Sequence, residues 1–193
     1  MKKESKRRAA VFLDRDGTIN VDDGYIGDPD DIVLIDGAAE AVRMLGEAGL
    51  PVVVVTNQSG IGRGYYDEDA LRRVNERVAR LLEAGGGRVE GFYHCPHPPE
   101  AGCRCRKPAT GLVERAAAEL AIDPAASYVV GDKVSDMELA RRVSARAVLV
   151  LTGFGAKAQE ELRFEPHHTA ADLLEAARWI TADFKGGRDR PSH

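Results

Sequence analysis

Gly49-Leu50-Pro51-Val52-Val53-Val54-Val55-Thr56-Asn57-Gln58-Ser59-Gly60 places four consecutive valines between a Gly-Leu-Pro stop and a run of small polar residues. β-Branched side chains suit a pleated backbone. A strand apolar at every position has no face left for water, so Val52 to Val55 reads as a central strand covered on both sides. Upstream, Val42, Leu45 and Ala48 recur at helical spacing between Gly37 and Gly49, and Ala10 to Leu13 is a first strand. Downstream, Leu71, Val74, Val78, Leu81 and Leu82 share one helical face, which Gly85-Gly86-Gly87 ends before a third strand over Val89 to Tyr93. A helix on Leu112 to Leu120, a strand at Tyr128 to Val130, a helix from Met137 to Val143 and a last strand, Ala147 to Leu151, continue the alternation. Thr169 and Asp172 read as a capping box that opens a final helix with Leu173, Ala177 and Ile180 facing inward. Strands alternating with helices predict an α/β three-layer sandwich around a central parallel, Rossmann-like sheet.

The 193 residues suit one compact unit, expected over 9–184, with a basic tail at 1–8 and a polar, disordered tail at 185–193. Hydrophobic residues at 44% and charged residues at 30% exclude fibrous and low-complexity classes. The longest apolar run, from Leu50 to Val55, is far short of the roughly 20 residues of a membrane helix, and no apolar signal region follows Met1 to Arg8. A cytoplasmic protein with no membrane partner is the expectation. Lys and Arg number 27 against 31 Asp and Glu, with no large basic block, so nucleic acid is not expected as a partner.

In an open parallel sheet, ligands bind beyond the carboxyl ends of the strands. The first strand ends in Asp14-Arg15-Asp16-Gly17-Thr18, with two carboxylates at i and i+2 that project to one face of an extended backbone. Paired acids suit a hard divalent cation such as Mg²⁺ or nucleophilic and proton-transfer work; an ordinary Asp-Gly turn is the alternative. The second strand ends in Thr56-Asn57-Gln58-Ser59-Gly60-Ile61-Gly62-Arg63-Gly64, whose hydroxyl and N–H groups suit a phosphate; a plain glycine turn is the alternative. The Gly131-Asp132-Lys133-Val134-Ser135-Asp136 segment adds acids at the same edge, although Asp132 or Ser135 would equally serve as a helix N-cap. Arg106-Lys107 offers positive charge of the kind that neutralises phosphate oxygens, or is simply a solvated face.

Two acids, a Thr, a Lys and a further acid in that order resemble the four motifs of the haloacid dehalogenase superfamily of phosphohydrolases, over about Val11 to Ile180. The resemblance implies that Asp14 is a nucleophile forming an aspartyl-phosphate and that Asp16 protonates the leaving oxygen and then serves as base for water. It implies that Thr56 and Asn57 bind the phosphoryl group while Lys107 offsets its charge. Mg²⁺ would be held by Asp14, the Asp16 main-chain carbonyl and Asp132, with Lys133 and Asp136 just behind them.

Cys95, His97, Cys103 and Cys105 form a C-x-H-x5-C-x-C set, three thiolates and an imidazole with the composition of a closed structural Zn²⁺ site. Reduced thiols beside a surface His are the alternative. Arg106 and Lys107 follow the last ligand directly, so the zinc-bound loop would set where these charges point.

Within the superfamily, this loop, Thr56 to Gly64 and Cys105-Arg106-Lys107-Pro108 are similar to the D-glycero-D-manno-heptose-1,7-bisphosphate 7-phosphatases. The resemblance implies removal of the 7-phosphate of a small sugar phosphate in the supply of activated heptose for lipopolysaccharide, with Arg63, Arg106 and Lys107 contacting the substrate. The five-residue gap between His97 and Cys103 is also similar to the histidinol-phosphate phosphatase domain. There is no room for a large cap domain, so Asn20 to Ile35, Gly60 to Tyr66 and the zinc loop are expected to gate access, in a monomer. Two other readings are weighed. A phospho-receiver signalling domain would need an acceptor Asp after a middle strand, and none ends Val52 to Val55. An inactive relative would lack an acid or the Lys.

Overall fold

The computed structural model describes residues 7–188. Six strands form one sheet: β1 (Val11–Leu13), β2 (Val52–Asn57), β3 (Val89–Cys95), β4 (Tyr128–Gly131), β5 (Arg146–Val150) and β6 (His168–Ala170). Their order is β3-β2-β1-β4-β5-β6 and every pairing is parallel. The helices are α1 (Ala38–Glu47), α2 (Ser59–Gly62), α3 (Glu68–Ala84), α4 (Gly111–Leu120), α5 (Val134–Arg142), α6 (Gly155–Glu161) and α7 (Leu173–Arg188).

The valine run behaves as its composition requires. Val52 and Val54 face a core built with α1, α3 and α7 through Val42, Leu45, Val74, Val78, Leu82, Leu173, Ala177 and Ile180. Val53 and Val55 face the opposite core with Phe12, Val129 and Leu149, closed by Leu112, Val113 and Ala116 of α4 and by Met137 and Ala140 of α5. Alternate residues of one strand therefore nucleate two layers, the three-layer sandwich expected from the sequence.

Several local expectations need correction. β5 is not the last strand, because β6 pairs with it outside Val148 to Val150. Thr169 lies inside β6, and Asp172 alone starts α7: its carboxylate accepts the Glu175 N–H at 2.8 Å, while the Glu175 carboxylate accepts the Ala171 N–H at 2.6 Å. α7 continues through Arg188, so the first four residues of the expected 185–193 tail are helical. Of the expected 1–8 tail, Arg8 is tied down by its N–H to the Ala121 carbonyl at 3.0 Å. Residues 1–6 and 189–193 lie outside the described residues.

The chain leaves β1 outward to β3 and returns to β4 on the other side of β1, so the order reverses between β1 and β4. A crevice at such a reversal is where open α/β sheets bind ligands. Asp14 follows β1 and Asp132 follows β4, one on each lip.

Candidate active site

Asp14, Asp16, Thr56, Asn57, Arg106, Lys107, Lys133 and Ser135 line one cleft of ≈ 210 Å³ at this reversal. The cleft is built from turns at strand ends. Arg15 N–H donates to Asp14 Oδ1 at 2.8 Å, and three N–H groups, from Thr18 to Asn20, converge on the Arg15 carbonyl, which folds the chain back immediately after β1. Gly17 sits at φ 87°, and a Cβ there would run into the Asp132 carboxylate, so glycine is required for the two lips to approach.

Lys107 is the pivot. Its buried ammonium lies 2.8 Å from Asp14 Oδ1 and 2.7 Å from Asp136 Oδ1 and donates to the Val55 carbonyl at 2.8 Å. Burial alone would lower its pKa, but Asp136 and Asp14 outweigh burial and hold it above the usual lysine value. Asp136 is itself pushed up by burial, against the pull of Lys107. Its Oδ2 accepts the Lys133 N–H at 3.1 Å, so Asp136 caps α5 and neither Asp132 nor Ser135 does.

Lys133 reaches back over the cleft, 3.0 Å from Asp22 Oδ2, 3.8 Å from Asp132 Oδ1, 3.9 Å from Asp14 Oδ2 and 3.4 Å from the Asp16 carbonyl. Burial opposes its charge, but Asp14, Asp132 and Asp22 raise its pKa. Asp132 is fully buried; its Oδ2 accepts the Phe154 N–H at 2.8 Å, whereas Oδ1 accepts no hydrogen bond among the described residues. Burial and the neighbouring Asp14 push its carboxyl up to about 7. Carboxylate oxygens of Asp14, Asp132 and Asp136 lie within 4.8 Å of one another. An oxygen-only donor set with an unpaired buried oxygen, surrounding the point where an ammonium now reaches, fits a hard divalent cation.

Asp16 is held differently. Arg15, completely buried, donates to it through Nε at 2.9 Å and Nη2 at 3.0 Å, and Asn20 Nδ2 and Gln58 Nε2 add bonds at 3.0 and 2.8 Å. Burial disfavours its charge, but Arg15 and the amide donors hold the carboxyl below its usual range.

Asn57 lines the cleft and also steadies its neighbour: its Oδ1 accepts the Lys107 N–H at 3.0 Å and its Nδ2 donates to the Lys107 carbonyl at 3.2 Å, so the side chain clamps the Lys107 backbone. The Gly60 to Gly64 segment also spends its N–H groups internally: Gly62 on the Pro96 carbonyl, Gly64 on Ile61 and Tyr65 on Gly60. Arg63 does not line the cleft and lies 3.7 Å from Glu100. The expected Asn20 to Ile35 gate is tied down by Val21–Val33 and Ile19–Ile35 backbone bonds, with Ile26 and Ile32 buried.

The four expected thiol and imidazole groups converge. Cys95 Sγ lies 3.1 Å from Cys105 Sγ and 3.5 Å from Cys103 Sγ, and His97 Nδ1 is 3.3 and 3.6 Å from Cys105 and Cys95 Sγ. A tetrahedron with Zn–S bonds of about 2.3 Å has S···S edges of about 3.8 Å, close to this spacing, so the cluster fits zinc. Burial pushes the Cys95 thiol up; Cys103, despite what burial does, is lowered to about 6 by hydrogen bonds from Cys105 and the Arg106 N–H. Arg106 Nη1 donates to the His97 carbonyl at 3.2 Å, which joins the loop to the cleft.

Gln58 and Asp22 have contacts here that the sequence does not signal: Asp22 is brought to Lys133 only by the folded chain, and Gln58 stands in a motif whose signal lies in Thr56 and the glycines.

A family model described as HAD-hydrolase-like matches residues 104–176. The D-glycero-beta-D-manno-heptose-1,7-bisphosphate 7-phosphatase of Haemophilus ducreyi is 43% identical over 162 residues, covering 80% of this chain and 89% of that protein. The D-glycero-D-manno-heptose-1,7-bisphosphate 7-phosphatase of Thermosynechococcus vestitus is 40% identical over 187 residues, covering 90% and 95%. Among solved structures, the D,D-heptose 1,7-bisphosphate phosphatase from B. bronchiseptica, complexed with magnesium and phosphate, matches with a TM-score of 0.85 and 33% identity, over 91% of this chain and 99% of that one.

Proposed function

The chain belongs to the D-glycero-D-manno-heptose-1,7-bisphosphate 7-phosphatases of the haloacid dehalogenase-like hydrolases, and from that membership we propose that it hydrolyses the 7-phosphate of this heptose bisphosphate. The observation that carries the reading is one cleft where Asp14, Asp16, Thr56 and Lys107 meet beside the orphaned Asp132 oxygen. Its ≈ 210 Å³ is below the roughly 300 Å³ at which pockets begin to enclose a whole ligand, which suits a phosphoryl end with the sugar lying outside.

Asp14 attacks phosphorus through a carboxylate oxygen as the bond to the C7 oxygen breaks; Asp16, ionised in the free site, takes up a proton when the anionic phosphate binds beside it and passes that proton to the departing oxygen. Water then attacks the aspartyl-phosphate, Asp16 takes its proton, and the bond to Asp14 breaks to release inorganic phosphate. Lys107 and Arg15 N–H hold Asp14 Oδ1, which leaves Oδ2 as the freer oxygen. Thr56 donates its hydroxyl to the phosphoryl group, Asn57 fixes Lys107, and Arg106 offsets charge at the mouth. Mg²⁺ would be held by Asp14, the Asp16 carbonyl and Asp132, where it supplies charge neutralisation for the phosphoryl oxygens. Lys133 reaches over that set from the cleft side, Asp136 stands behind it paired with Lys107, and Arg63, beyond the cleft, meets the distal part of the substrate. Cys95, His97, Cys103 and Cys105 would hold Zn²⁺, which would fix the Arg106-Lys107 segment.

No helix among the described residues is long and apolar enough to cross a membrane, and the size of the cleft suits a small molecule. The test is phosphate release in Mg²⁺ buffer from both anomers of the bisphosphate and from histidinol phosphate. A bisphosphate should lead in kcat/KM by about 100-fold, near 3 kcal/mol of transition-state discrimination. A lead for histidinol phosphate overturns the substrate, and no phosphate from any of them overturns the reading.

A further inference from the structure

The donors around Asp16 are not equivalent. Arg15 Nε and Asn20 Nδ2 donate to its Oδ1, and Arg15 Nη2 and Gln58 Nε2 donate to its Oδ2. Arg15 is locked by a third bond, from Nη1 to Asn75 Oδ1 at 2.9 Å, and Asn20 Nδ2 is shared with the Val21 carbonyl at 2.8 Å. Gln58 is the donor that also touches a phosphoryl-binding residue, because its Nε2 donates to Thr56 Oγ1 at 2.8 Å. An amide nitrogen has two hydrogens, and here each has one acceptor. Since the Thr56 oxygen receives one of them, its own O–H is free to point into the cleft.

The amide cannot be reversed without turning its oxygen towards the Asp16 carboxylate. That oxygen is instead satisfied by the Tyr66 O–H at 2.6 Å. Burial pushes the Tyr66 phenol up to about 12, so it remains a donor. The Tyr66 ring fills the space over Gly60, where a Cβ would run into it. Gln58 itself is 3% exposed. One amide thus sets the direction of two side chains, and one phenol holds the amide.

We propose that Gln58 and Tyr66 are positioning residues for the proton-transfer step: Gln58 aligns Asp16 with the leaving oxygen while aligning the Thr56 hydroxyl with the phosphoryl group, and Tyr66 fixes the Gln58 amide. The inference rests on the reading of Asp16 as the acid. It predicts a dependence on the leaving group, since an alkoxide needs a proton as it departs and p-nitrophenolate scarcely does.

The experiment compares wild type, Q58L and Y66F on the heptose 1,7-bisphosphate and on p-nitrophenyl phosphate, with melting temperatures as controls. Q58L should lower single-turnover release of the sugar alcohol, which reads the first step alone, by about 10–100-fold, with KM changed by less than about threefold and a loss in p-nitrophenolate release of less than about fivefold. Y66F, which keeps the packing, should lower sugar-alcohol release by about 3–10-fold with the same asymmetry. Equal losses on the two substrates, a loss carried by KM, or unchanged sugar-alcohol release in Y66F would overturn the inference. Failure of the wild type to release phosphate from the bisphosphate would instead overturn the proposed function.

Discussion

The acidic cleft and the cysteine loop are two metal-ready clusters about one motif apart in sequence, and they are held together by opposite means. In the cleft, Asp14, Asp16 and Asp136 are pre-positioned by protein cations, Lys107 and Arg15, and by glycines that let β1 and β4 approach. Asp132 is held less tightly, its buried Oδ1 accepting no hydrogen bond among the described residues and lying 3.8 Å from the Lys133 ammonium. In the loop, three sulfurs and an imidazole meet with no cation among them, on a segment whose Pro99 to Ala101 turn is exposed and whose backbone bonds are few. The first cluster is held by the protein's own cations, whereas the second has none among its ligand atoms and has a donor set that fits a metal. Removing a side chain should therefore cost chemistry in the first and geometry in the second.

The largest expected effect tests the cleft. Asp14→Asn removes the oxygen charge that attacks phosphorus while keeping the side chain's volume and a carbonyl for the Lys107 bond. Turnover should fall by about 10³-fold or more, the scale of losing a nucleophile, with the melting temperature nearly unchanged. Retention of a tenth of the activity in a phosphate-release assay would break the comparison, since the cleft would then not be where chemistry occurs.

An intermediate effect belongs to the loop. Cys103→Ala leaves the cleft's acids untouched but deletes one of four ligands, and Arg106 is tethered to the loop through the His97 carbonyl. Loss of an outer support of this kind costs about 10–100-fold in activity or metal affinity. The variant should lose bound zinc by elemental analysis and show raised KM, because the misplaced group is the cleft arginine proposed to offset substrate charge. Full zinc content together with normal KM would show that the loop is not metal-shaped.

The two clusters also differ in how much of them sequence made legible. Every cysteine-loop ligand lies within eleven residues, so spacing alone identified the set. The cleft's acids were legible because each terminates an apolar strand, as Asp14 follows Val11–Leu13 and Asp132 follows Tyr128–Gly131. What escaped was tertiary or short. β6 is three residues at the sheet edge with a histidine and no valine run, and α2 has four residues. That the two polar ends of Asn57 match the Lys107 peptide, fifty positions away, had no local signal. Gln58 and Asp22 gained meaning only when folding brought Asp16 and Lys133 beside them.

The smallest expected effect sharpens the contrast, because it is a gradient rather than a loss. In the metal-free protein, burial and Asp14 raise the Asp132 carboxyl to about 7, above the roughly 3.9 of an unfolded aspartate. Folding therefore takes up a proton between those values. The stability this group contributes is fully present below about 4 and is lost as pH rises through about 7. Mg²⁺ binding must displace that proton, so affinity should weaken by about tenfold per pH unit below 7 and level off above it. Titration calorimetry from pH 5 to 8 reads the gradient directly. Melting curves supply the complement, since Mg²⁺ should raise the melting temperature more at pH 8 than at pH 5. An affinity flat across this range would mean that Asp132 is already ionised, with Lys133, 3.8 Å from its Oδ1, neutralising it. The cleft would then be a finished ion pair that a metal has to break, and the distinction between the two clusters would narrow.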